Sequence, residues 1–186
     1  MEKDFISRPA LLDRNDCVLV IIDVQEKLMP VIAGHQEILK NVLRLMRFCR
    51  LARVPIMVTE QEKLGPSVHQ VAAEASGAPI LPKVHFNCFL SPDFTHALET
   101  TRRNTLILAG VEAHICVAQT ALYALPRFDV HVAADAVGSR APDNRLIALQ
   151  RMRQAGATIT STEMFIYEAL QRAGTEEFKA ALQLVK

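Results

Sequence analysis

An excess of charge of either sign is missing from this chain of 186 residues, where 21 Lys and Arg face 20 Asp and Glu. A near-neutral balance supplies no electrostatic footprint for nucleic acid or for an anionic membrane surface. Long apolar runs are missing too, and none approaches the roughly 20 residues a membrane span needs. Met1 to Asp16 carries four acids and three bases and no apolar signal core, which argues against secretion. No C-x-x-C pair occurs: Cys17, Cys49, Cys88 and Cys116 are widely spaced, against a zinc knuckle or a disulfide framework. Reduced thiols in a cytoplasm fit this spacing best. The first strand is followed by no G-x-G-x-x-G, and no Walker pattern appears, so neither nucleotide fingerprint is present. Internal repeats and low-complexity segments are absent.

What is there is apolar patterning. The length fits one domain, residues 1–186, with a sizeable core, and 50% of the residues are hydrophobic. Met1 to Asp16 reads as an arm broken by Pro9. Cys17 to Ile22 is a continuous β-branched run of the kind that suits a strand buried on both faces. Gln36 to Arg53 places Ile38, Val42, Leu45, Met46, Cys49 and Ala52 at three- and four-residue steps, an amphipathic helix. Further strands are expected at Pro55 to Thr59, Pro79 to Phe86, Asn104 to Gly110, Asp129 to Asp135 and Ala157 to Thr160. Helices are expected from Ser91-Pro92-Asp93 to Arg102, over Ala113 to Leu125 and over Pro142 to Gln154, the last with Leu146, Leu149 and Met152 inward. Residues 161–186 form closing helices. Strands alternating with helices of this length predict an α/β fold: a three-layer Rossmann-like sandwich, its sheet mainly parallel and about six-stranded, with helices on both faces.

Leu106 to Val117 is the stretch around which the rest is organised. It reads as a buried strand, a sharp turn at Gly110, then a helix with Cys116 in its first turn. Backbone N–H groups without intrahelical partners, together with the helix dipole, favour thiolate over thiol at that junction. Cys17 and Cys49 read as inert core, whereas Cys88 is undecided between core and site. Asp23 ends the first strand, and in open parallel sheets the ligand crevice lies outside the carboxyl ends of the strands. It is read as either a cap or a working group. Lys83 comes close to the sheet edge.

Three blocks carry a resemblance: Ile21-Ile22-Asp23-Val24-Gln25, Pro82-Lys83-Val84, and Gly110-Val111-Glu112-Ala113-His114-Ile115-Cys116-Val117 followed by Thr120-Ala121. In this order and spacing they resemble the signature blocks of the isochorismatase-like cysteine hydrolases, over about Asn15 to Ser139. Thr59-Glu60-Gln61, Phe86-Asn87-Cys88-Phe89 and Thr162-Glu163-Met164 are similar to its isochorismatase domain-containing branch. The resemblance implies Cys116 as nucleophile, Asp23 as general base and Lys83 as the positive neighbour. It also implies a cis peptide between Val111 and Glu112, with the N–H groups of Glu112 and Cys116 forming an oxyanion hole. Gln25, Leu28, Gln61, Phe86, His114 and Ile115 are candidate substrate-pocket residues.

Nicotinamidases in the same family bind a metal through an Asp-x-His pair and a further histidine. Thr59 to Pro82 offers only His69, so neither catalytic metal nor other cofactor is expected. The implied activity is hydrolysis of a small amide, ester or carbamoyl compound through a thioester-type intermediate on Cys116, in a homo-oligomer that engages neither nucleic acid nor membrane. The competing reading is a catalytically silent binding or scaffold subunit, which the filled triad positions disfavour. A nuclease reading finds no basic stripe with aromatics and no paired acidic metal ligands.

Overall fold

The computed structural model describes residues 11–185. Most of the expected N-terminal arm, residues 1–10, lies outside the described residues. Six strands, β1 (Cys17–Ile22), β2 (Ile56–Gln61), β3 (Ile80–Lys83), β4 (Thr105–Val111), β5 (Asp129–Gly138) and β6 (Thr158–Thr160), form one sheet in the order β3-β2-β1-β4-β5-β6. Every neighbouring pair is parallel.

Seven α-helices among the described residues cover the sheet: α1 (His35–Leu51), α2 (His69–Glu74), α3 (Pro92–Thr101), α4 (Ala118–Ala124), α5 (Pro142–Gln154), α6 (Thr162–Leu170) and α7 (Glu176–Val185). None is long and apolar enough to cross a membrane.

The period-two alternation of a strand divides β1 between two cores. Cys17, Leu19 and Ile21 face Val42, Leu45 and Phe48 of α1, Phe165 of α6 and Ala181 of α7. Val18, Val20 and Ile22 face Phe94 and Leu98 of α3, Ala121 of α4, and Ala148 and Met152 of α5. An edge-to-face contact between Phe48 and Phe165, 5.8 Å between ring centroids, ties α1 to α6.

Details differ from the sequence expectation, and β3 stops at Lys83 rather than reaching Phe86. β5 does not end at Asp135 but runs three residues further. The Asp135 side chain instead accepts from the Thr162 N–H at 2.8 Å and from Thr162 Oγ1 at 3.0 Å, fixing the start of α6. In α5 the buried residues are Ala148 and Met152, while Leu146 is 52% exposed. Arg145, one turn before Ala148, reaches the carbonyls of Ala134 and Val137, and this pins the face that α5 presents to the sheet.

The topology has one reversal point. The chain lays down β1, β2 and β3 in one direction across the sheet and then returns to place β4 on the other side of β1. In doubly wound sheets this point, outside the carboxyl ends of the strands, is where ligands are bound.

Candidate functional site

Asp23 leaves β1 at that reversal point with a left-handed backbone, φ 56°, a conformation that Asp tolerates better than most side chains. Its N–H donates to the Thr59 carbonyl at 3.2 Å, and its side chain is buried. Oδ1 accepts from Thr59 Oγ1 at 2.8 Å and Oδ2 from Lys83 Nζ at 2.7 Å. Lys83 ends β3, and its ammonium also donates to Gln61 Oε1 at 2.8 Å while lying 3.8 Å from Cys116 Sγ. The structure therefore brings Asp23, Lys83 and Cys116 together from three different strand ends.

Cys116 follows β4. Gly110 makes this approach possible, for its φ is 132° and a Cβ built on it would lie 2.1 Å from the Ile22 carbonyl oxygen. Glu112 then turns the chain with φ 53° and ψ 58°, and a π-helical turn, Ala113–Val117, precedes α4. Such turns recur at functional sites. The expected cis peptide between Val111 and Glu112 is absent, since the described backbone contains no cis bond. The left-handed Glu112 makes the reversal with a trans bond, at a lower conformational cost than a non-proline cis peptide.

The expectation of a depressed thiol pKa is also corrected. Burial pushes the Cys116 thiol well above its ordinary value; the Asp23 carboxylate adds to this, and the Lys83 ammonium opposes it. Only 5% of Cys116 is exposed. One ammonium already paired with a carboxylate at 2.7 Å cannot outweigh that desolvation. The hydrogen-bond partner that reaches the Cys116 sulfur is the Lys83 ammonium, 3.8 Å away.

Among the remaining candidates, Gln25 is fully buried. Its Nε2 donates to the carbonyls of Gln61 (2.9 Å) and Gly65, and its Oε1 accepts from the Gln61 N–H at 2.8 Å. It clasps the loop after β2. Leu28 is half-buried against the core that holds α1, Ile115 packs against the other core, and Phe86 is 50% exposed. His114 Nδ1 lies 3.0 Å from Ser139 Oγ and 3.2 Å from Glu112 Oε2, and the other Glu112 oxygen accepts from Arg140 Nε at 2.8 Å. Val111 is fully buried at the end of β4.

Thr59, Ser139 and Arg140 had no assigned role from sequence. Thr59 could have been found as the first residue of the Thr59-Glu60-Gln61 block; nothing local marks the other two. The undecided Cys88 is buried with its N–H donating to Thr120 Oγ1 at 3.1 Å, and burial raises its thiol to about 11. A surface cleft of about 490 Å³ bordered by Arg50, Ile56 and Thr100 lies at the opposite, amino ends of the strands. Among the described residues, no group of three or more His, Cys, Asp or Glu side chains is placed to hold a metal ion.

The same arrangement of strands recurs in known proteins. A MAR1 ribonuclease from Caenorhabditis elegans superimposes with a TM-score of 0.88 at 33% identity, over 95% of this chain and 92% of that one. YcaC from Pseudomonas aeruginosa, solved with hexane-2,5-diol and covalent acrylamide, gives 0.89 at 30% identity, over 95% and 92%. The Escherichia coli YcaC product, described as an octameric hydrolase of unknown specificity, gives 0.88 at 29%, over 95% and 90%.

In sequence, the secreted isochorismatase effector Isc1 of Phytophthora sojae is 36% identical over 177 residues, 91% of this chain and 84% of that protein. Isochorismatase domain-containing protein 2 of Danio rerio is 34% identical over 94% of this chain and 89% of its own length. The isochorismatase domain model matches residues 17–164, from the first residue of β1 into α6 and so across all three strand ends that meet at Cys116. On that span, the chain belongs to the isochorismatase domain family.

Proposed function

We propose that the chain is a cysteine hydrolase acting on a small amide, ester or carbamoyl compound, with Cys116 as nucleophile and Asp23 as general base. The observation that carries this reading is the placement of the Lys83 ammonium, 2.7 Å from the Asp23 carboxylate and 3.8 Å from the Cys116 sulfur. As the thiol attacks the carbonyl carbon, its proton passes to Asp23, so no free thiolate need accumulate. The backbone N–H of Cys116 receives the developing oxyanion. Asp23 returns the proton to the departing amine or alcohol, leaving an acyl thioester. Water, deprotonated by Asp23, then hydrolyses it, and Asp23 returns that proton to the departing Cys116 sulfur. Lys83 holds the carboxylate in place and offsets negative charge in a site closed to solvent.

The covalent acrylamide in the Pseudomonas YcaC structure supports a reactive group in a similar protein. The octameric description of the Escherichia coli relative supports a homo-oligomer here, which light scattering on the purified chain reads directly. Four free cysteines favour a reducing compartment such as the cytoplasm, although one relative is a secreted effector.

The test is a panel of small amides, esters and carbamoyl compounds, assayed with wild type and Cys116→Ala. Turnover lost in the variant is expected. Unchanged turnover of a true substrate in Cys116→Ala would sink the mechanism, and no turnover with an inert Cys116 would favour a scaffold. The ribonuclease name of the Caenorhabditis relative makes RNA the control substrate, with no cleavage expected across a salt series.

A further inference from the structure

Gln61 and Lys83 are partners in the parallel register of β2 and β3. At the carboxyl edge of the sheet their side chains meet, Gln61 Oε1 accepting from Lys83 Nζ at 2.8 Å. A lysine ammonium has three N–H donors on a flexible four-carbon stem. Asp23 takes one at 2.7 Å and Gln61 takes a second, which leaves the third on the side of the Cys116 sulfur.

Gln61 is itself held at every polar atom. Its Nε2 donates to the Val84 carbonyl at 2.8 Å, and its backbone N–H and carbonyl are both bonded by the buried Gln25 amide. A neutral acceptor matters here. An amide oxygen fixes the ammonium without adding charge, whereas a second carboxylate would raise the negative potential at the sulfur.

We infer that Gln61 is a positioning residue for Lys83: its amide oxygen aims the ammonium at Cys116, and the buried Gln25 clasp fixes Gln61 in turn. This rests on Cys116 being the reacting thiol. The role differs from substrate contact, because the Gln61 amide is occupied by Lys83 and Val84.

The experiment follows iodoacetamide labelling of each cysteine by peptide mass spectrometry, as a function of pH, in wild type, Gln61→Met, Gln61→Asn and Gln61→Glu. Gln61→Met and Gln61→Asn lose the acceptor at that reach, and Cys116 labelling near pH 7 is expected to slow about tenfold, equivalent to one pH unit. Gln61→Glu keeps an acceptor but adds charge, so its labelling profile is expected to move to higher pH. A purely structural role would lower the melting temperature and leave the pH profiles of all three variants in place, and that result overturns the inference. Turnover of a true substrate unchanged in Cys116→Ala would instead remove the hydrolase reading, and this inference with it.

Discussion

Lys83 and Asp23 are a buried ion pair, each side chain 1% exposed, and their energetics are those of mutual dependence. Their attraction offsets two desolvation penalties only while both are present. Lys83→Met should therefore cost about 3–5 kcal/mol of stability by leaving the carboxylate buried with Thr59 alone. Asp23→Asn combined with Lys83→Met should recover part of that loss. Denaturant unfolding of the two single variants and the double variant checks it, and additive losses would show that the pair is not coupled. Residue chemistry alone could not have located Cys116 on its pKa scale. Helix-end placement and a nearby lysine both argued downward, and burial beside a carboxylate won.

At the scale of elements, the contact between β1 and β4 is the tightest constraint on the site. Ile22 and Gly110 are register partners at the end of both strands, immediately before Asp23 and the turn to Cys116. Any side chain at position 110 would need an unfavourable φ and would press into the backbone of β1. Gly110→Ala is predicted to cost about 3 kcal/mol or more, from strain and overpacking together. It should also slow labelling of Cys116 by displacing the turn. Thermal melting with labelling rates measures both, and a variant as stable as wild type would refute the account. Sequence marked Gly110 as the end of the strand, but the closeness of Ile22 appears only once β1 and β4 are side by side.

For the whole molecule, four buried free thiols set how stability responds to alkali. Burial raises Cys17 to about 12 and Cys88 to about 11 from an ordinary 9.0, and it raises Cys49 well above that value. The folded state thus keeps protons that the unfolded state releases, and its stability must fall as pH rises from about 9 to about 11. Below about pH 9 this contribution is fully present. Cys49→Ala should lose less stability than wild type across that window, as read by denaturant midpoints at each pH. Equal slopes would show that this thiol titrates alike in both states.

Local pattern determined a good deal. The β-branched run of β1 and the three- and four-residue apolar steps of α1 are dictated by which faces must leave water, so the parallel three-layer architecture was legible from the chain. The blocks around Asp23, Lys83 and Cys116 were legible as well, because each lies where a strand stops and side chains can face a crevice. Other features depend on neighbours distant in sequence. The reach of β5 past Asp135, the trans turn at Glu112, the upward push on the Cys116 thiol and the Gln25–Gln61–Lys83 chain all arise from contacts across strands that local spacing does not encode. A hydrogen bond spanning 36 residues, such as Gln25 Oε1 to the Gln61 N–H, exists only after the sheet has brought its ends together.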